Sequence, residues 1–111
     1  MNNPDPPLFY LVNLRIDAEV ADQWEAWMRT THIPDVLDTG CFDRAWICRQ
    51  PEDDGGARRA YRMIYIATSR SSFERYQSQF APTLQADHTT RYEGQFDASR
   101  SLCNVIKELK K

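Results

Sequence analysis

The sequence lacks the features of several large functional classes. No apolar run approaches the roughly 18 residues that a membrane-spanning helix needs. No stripe of basic residues is present either, and 14 Lys and Arg against 16 Asp and Glu leave a formal net charge of −2. A protein that neutralises nucleic-acid phosphates needs such a stripe. We therefore expect neither a membrane nor a nucleic acid as a partner.

Cysteine is scarce, and the three cysteines do not form a recognisable framework. Cys41, Cys48 and Cys103 are an odd number and show no CxxC or zinc-like spacing. Each falls in a strand-like segment, where we expect it to be a small buried apolar side chain. Residues 1–7 are polar and proline-rich, without the basic and apolar parts of a signal peptide. We expect free thiols, no metal site and a cytoplasmic location.

The known catalytic motifs are also missing. The chain contains no HExxH, no GxSxG and no glycine-rich loop that could cradle a phosphate. An enzyme built on this sequence would have to work without a cofactor or borrow reactivity from its substrate. We expect no cofactor.

What is present suits one domain. The chain has 111 residues, of which 41% are hydrophobic, enough for a single core but not for two. We predict a flexible tail at 1–7, one domain at 8–107 and a C-terminal tail at 108–111. Apolar patterning predicts strands at 8–16, 41–50, 59–68 and 96–106, with a turn at 51–56.

Two helical stretches lie between these strands. In the first, Asp17 is a credible N-cap. A largely apolar stripe then recurs at helical spacing, formed by Val20, Trp24, Trp27, Met28 and Thr31. Ser69, Ser71 or Ser72 can cap the second stretch. Pro34 and Pro82 interrupt the two stretches, because proline lacks an N–H and displaces the carbonyl four residues earlier.

The order β-α-β-β-α-β predicts a ferredoxin-like α+β fold, in which both helices cover one face of a four-stranded antiparallel sheet. Strands one and three are nevertheless apolar on both faces, as at Phe9 and Tyr10 or Ile64 and Tyr65. Apolar residues on both faces indicate that both are covered. We predict a homodimer through the uncovered sheet face; the alternative is a monomer in which polar residues such as Asn13 keep this face wet.

Several segments resemble a bacterial family of unknown function that belongs to the dimeric α+β barrels. The segments are Trp24-Glu-Ala-Trp27-Met28, His32-Ile33-Pro34-Asp-Val36, Thr39-Gly40-Cys-Phe42, Tyr61-Arg-Met-Ile-Tyr65, Ala81-Pro82-Thr-Leu84 and His88-Thr-Thr-Arg91-Tyr92. The resemblance spans about residues 8 to 106 and implies the same fold and a dimer. It implies no activity, because proteins of this fold oxygenate, isomerise, dechlorinate or simply bind.

Four residues are candidates for a site. His32 precedes the Pro34 interruption and could transfer a proton, or its ring could instead satisfy the freed backbone carbonyl. His88 and Arg91 extend the inward stripe of the second helical stretch, and Arg91 could hold an anion or pair with Asp87. Trp24 is first a core residue and second an apolar wall. We predict that these four residues share one cleft.

Three functions remain open at this point. The first is a homodimeric small-molecule-binding domain with a pocket between sheet and helices. The second is a cofactor-independent enzyme of the monooxygenase or isomerase kind, with His32 or His88 as its catalytic proton-transfer group. The third is a purely structural dimer, which needs no pocket. A cavity beside a histidine distinguishes the first two from the third.

Overall fold

A computed structural model describes residues 6–51 and 56–111 of the chain. Most of the predicted tail at 1–7 and of the turn at 51–56 lies outside these described residues. The strands are β1 Leu8–Asp17, β2 Phe42–Arg49, β3 Arg58–Ala67 and β4 Phe96–Asn104. The helices are α1 Ala18–Trp27, α2 Ile33–Asp38, α3 Arg70–Gln79 and α4 Ala81–Arg91, and a π-helical turn, Met28–His32, joins α1 to α2.

The four strands form one antiparallel sheet in the order β2-β3-β1-β4. The predicted ferredoxin-like α+β fold is confirmed. The two strands with apolar residues on both faces, β1 and β3, are the central pair of the sheet. Each therefore has a neighbouring strand on both sides. On β1, Tyr10, Val12 and Leu14 are buried beneath the helices, whereas Phe9 on the opposite face is 37% exposed.

Both helical stretches are interrupted where proline was expected to interrupt them. The N–H of Ile33 bonds to the carbonyl of Met28, five residues earlier. Pro34 has no N–H to offer Thr30, and the wider turn gives its ring room. In the second stretch α3 ends at Gln79, and Pro82 lies in the first turn of α4, where its missing N–H costs nothing.

The π-helical turn corrects one expectation about the core. The helical spacing from Val20 onward placed Thr31 on the inward face, but Thr31 is exposed. The turn holds one residue more than an α-helical turn, so the inward face passes from Met28 to His32 and Ile33 instead. As a result His32 is buried against the sheet rather than lying beside the apolar stripe.

The expectations that Asp17 caps a helix and that all three cysteines are buried are corrected. Asp17 precedes α1 without capping it, because its carboxylate accepts from Nε of Arg58 at 2.9 Å. Ser69 does cap α3, accepting from the N–H of Ser72 at 3.1 Å. All three cysteines are free thiols, but only Cys41 is buried, and Cys48 and Cys103 are exposed on edge strands.

In the described part of the chain, no helix is both long and apolar enough to cross a membrane.

Candidate functional site

A small cavity lies between the helices and the central strands. Its volume is about 30 Å³, which is room for one or two water molecules. The floor comes from inward residues of β1 and β3, and the roof from the π-helical turn, α3 and α4. The lining residues are Tyr10, Val12, Leu14, Met28, His32, Met63, Tyr65, Tyr76, Gln85, His88 and Arg100. Polar groups therefore converge on an otherwise apolar concavity, which is the usual form of a small-molecule site.

His88 is fixed by a hydrogen bond from Trp24. The indole Nε1–H donates to Nε2 of the imidazole at 2.9 Å. Because an indole can only donate, Nε2 of His88 must be unprotonated, and the proton of the neutral ring lies on Nδ1. Burial, together with the nearby His32 and Arg100, lowers the pKa of His88 to about 4. His88 is therefore a neutral side chain whose basic nitrogen is already occupied.

His32 has a different environment. The residue is 9% exposed, and its ring packs against the rings of Trp27, at 5.3 Å between centroids, and His88, at 5.7 Å. Burial lowers the pKa of His32, partly offset by Asp87 and Asp35. The alternative interpretation was that the His32 ring satisfies the backbone carbonyl that Pro34 leaves free. Among the described residues, the imidazole makes no hydrogen bond to this carbonyl of Thr30. His32 thus brings a neutral ring with an available nitrogen to the cavity.

Arg100, on the inward face of β4, supplies the cationic group of the cavity. Its neighbours are Gln85 of α4 and the hydroxyl of Tyr10. Burial raises the pKa of Tyr10, and the charge of Arg100 and the hydrogen bonds of Arg100 and Gln85 with the hydroxyl partly offset this rise. The charge of Arg100 also acts on His32 and His88. Sequence reasoning missed Arg100, although its place two residues from Ala98 on an alternating strand would have put it on the inward face.

Arg91 does not line this cavity. It is exposed and stacks over the indole of Trp27, with 4.7 Å from the guanidinium carbon to the ring centroid, and it is not among the cavity-lining residues. It therefore makes neither the expected pair with Asp87 nor the expected joint cleft with His32. His32 and His88 do share a cavity, and Trp24 stands behind His88 rather than in the wall. No three metal-ligating side chains cluster anywhere in the described ranges.

The fold and the cavity define a ferredoxin-like α+β domain with a polar-lined hollow between sheet and helices. The chain matches the family described as a domain of unknown function, DUF4286, over residues 8–106. It belongs to that family. No curated protein matches it.

Three solved structures share the fold. SnoaB, a cofactor-independent oxygenase from Streptomyces nogalater, is 16% identical, with a TM-score of 0.71 over 96% of this chain and 99% of SnoaB. A dimeric ferredoxin-like protein from an uncultured marine organism is 15% identical, with a TM-score of 0.70 over 95% and 100% of the two chains. An EthD-like protein from Ralstonia eutropha is 15% identical, with a TM-score of 0.67 over 95% and 96%. At these identities the likeness concerns the fold alone.

Proposed function

We propose that the chain is a homodimeric small-molecule-binding domain whose ligand enters the cavity between sheet and helices. The observation that carries this proposal is the convergence of His32, His88 and Arg100 on one hollow. A domain with a purely structural role would gain stability by filling that hollow with apolar side chains, because buried polar groups cost free energy unless they find partners. The cavity of about 30 Å³ admits one functional group, so the body of the ligand lies across its mouth.

The binding test uses a neutral probe. Benzamide titrated into the protein should shift the NMR signals of the His32 and His88 rings and of the Trp24 indole N–H. His32→Ala should weaken this binding while leaving the dimer folded, and Thr89→Ala, an exposed change on α4, should leave it unchanged. Signals that stay fixed at millimolar benzamide would contradict the proposed pocket. Loss of folding in His32→Ala would favour a structural role for the imidazole.

A second candidate function is proton transfer without a cofactor. The geometry of the two histidines favours His32, since Nε2 of His88 is held by Trp24 and a neutral imidazole with a free nitrogen can act as a general base. A similar fold is found in the oxygenase SnoaB, which is described as cofactor-independent. A suitable probe is 5-nitrobenzisoxazole, whose ring opens to a coloured cyanophenolate once a base removes the ring-carbon proton. His32→Ala should abolish any protein-dependent rate, and His88→Gln should leave most of it.

The dimer is supported by the outer sheet face. Central-strand residues Phe9 and Ile64 face away from the helices, and Trp46 of β2 is 44% exposed on the same face. A groove of about 500 Å³ continues this face toward the C-terminal segment at 105–108, where Ile106 is 95% exposed. An apolar surface of this kind typically marks a protein contact. A second copy could cover it with its own outer sheet face, as a two-fold dimer requires.

A further inference from the structure

Arg100 is the one formally charged side chain among the eleven residues that line the cavity. His32 and His88 are neutral near pH 7, because burial lowers the pKa of both, and the lining includes no aspartate or glutamate. Within the described ranges, the arginine ion pairs involve Arg49, Arg58 and Arg59, and Arg100 has no carboxylate partner. The cavity therefore carries an uncompensated positive charge.

The surroundings of Arg100 strengthen the electric field of this charge at the mouth of the cavity. Arg100 is exposed to solvent, while the cavity that it borders is lined on other sides by the apolar side chains of Val12, Leu14 and Met63. Apolar walls of low dielectric concentrate the field of a charge at the mouth of a cleft and raise the local concentration of counter-ions. An anion that reaches the mouth of this cavity is attracted inward.

The hydrogen-bond donors at the mouth of the cavity are also arranged to fit a carboxylate. A guanidinium presents a planar fork that matches both oxygens of a carboxylate, and the Tyr10 hydroxyl and Gln85 amide lie next to it. These groups suit a flat anionic head that enters the hollow while the body of the ligand lies across its mouth.

We propose that Arg100, together with Tyr10 and Gln85, forms an anion subsite, and that the ligand of this domain is a small carboxylate. The inference rests on the proposed function, because it assigns the ligand class of the same cavity. It replaces Arg91, the arginine that the helical pattern had favoured, with an arginine from the edge strand.

The test compares benzoate with its neutral counterpart benzamide. Binding of each is followed by the NMR signals of the His32 and His88 rings and of the Trp24 indole. Benzoate should bind wild-type protein at least about tenfold more tightly than benzamide, since a charge-assisted hydrogen-bonded pair contributes about that much. Arg100→Gln should remove this preference by weakening benzoate binding at least about tenfold more than benzamide binding, and Arg100→Lys should keep only part of it. An unshifted Trp24 indole signal in the unliganded variants verifies that they are folded.

Two further variants make the outcome decisive. Arg75→Gln removes an exposed arginine of α3 and should leave the benzoate preference intact. Arg91→Gln should do the same, and loss of the preference in that variant but not in Arg100→Gln would overturn the subsite. Equal binding of benzoate and benzamide by the wild-type protein would refute the anion subsite but leave the pocket standing. Failure of both probes to bind would refute the subsite and the proposed function together.

Discussion

The indole N–H of Trp24 donates to Nε2 of His88 across 64 residues of sequence. This bond joins α1 to α4. It determines which nitrogen of His88 carries the proton, and it keeps that ring from acting as a base. Of the two histidines in the cavity, His32 is therefore the one whose unprotonated nitrogen can accept a proton.

Removing the donor should affect both stability and the histidine pKa. Trp24→Phe leaves Nε2 of His88 buried without a partner, and we expect the free energy of unfolding to fall by about 1–3 kcal/mol. The pKa of His88 should rise, because the lost bond favoured the neutral ring. Urea unfolding and NMR titration measure the two effects. Trp27→Phe is the control. It also replaces a buried indole by a smaller ring, but the indole N–H of Trp27 makes no hydrogen bond in the described part of the chain. An unchanged His88 pKa in Trp24→Phe would contradict this account.

Stability should depend on pH through the histidines. An unfolded histidine titrates near 6.5, whereas His88 in the folded chain titrates near 4. Between these values the unfolded state binds more protons, so the free energy of unfolding falls as pH falls from 6.5 toward 4, and His88 contributes no pH dependence above 6.5. From pH 7 to pH 5 we expect His88 to account for a loss of about 1–2 kcal/mol, reduced by solvent screening.

Denaturant unfolding at several pH values measures this loss. His88→Gln serves as the matched variant, because a glutamine can still accept from Trp24 but does not titrate. Its stability should decline less than that of the wild type over the same range. Parallel curves for the two proteins would show that His88 is not the titrating group.

The outer sheet face should control the oligomeric state. Light scattering of the wild-type protein at micromolar concentration should give about twice the chain mass of 13.0 kDa. Ile64→Lys places a charge at the centre of the outer face and should give a folded monomer, because a buried unpaired charge is costly. Thr89→Lys adds the same charge on exposed α4 and should remain dimeric. A wild-type protein that is monomeric at this concentration would refute the dimer.

The sequence predicted the fold well because its evidence was periodic. The apolar runs of β1 and β3, the two prolines and Ser69, one of three candidate caps, each mark structure through local chemistry, and the structure has strands, helix breaks and a cap at these places. The site was harder. The positions of Thr31 and His32 depend on a π-helical turn that adds one residue to the helix, and a regular helical period cannot anticipate it. Periodicity places both Arg91 and Arg100 on inward faces, but which of the two lines a cavity depends on tertiary packing.

The extra residue in the π-helical turn also bears on related sequences. The helical segments on both sides of Met28–His32 keep their apolar residues on the sheet, with Trp24 before the turn and Ile33 and Val36 after it. A homologue one residue shorter here could form an uninterrupted α-helix with the same flanking contacts and the same overall fold. It would lack the fifth residue of the turn, which allows both His32 and Ile33 to face inward. A one-residue alignment gap between Met28 and Ile33 would therefore separate homologues that keep this imidazole in the cavity from those that have lost it.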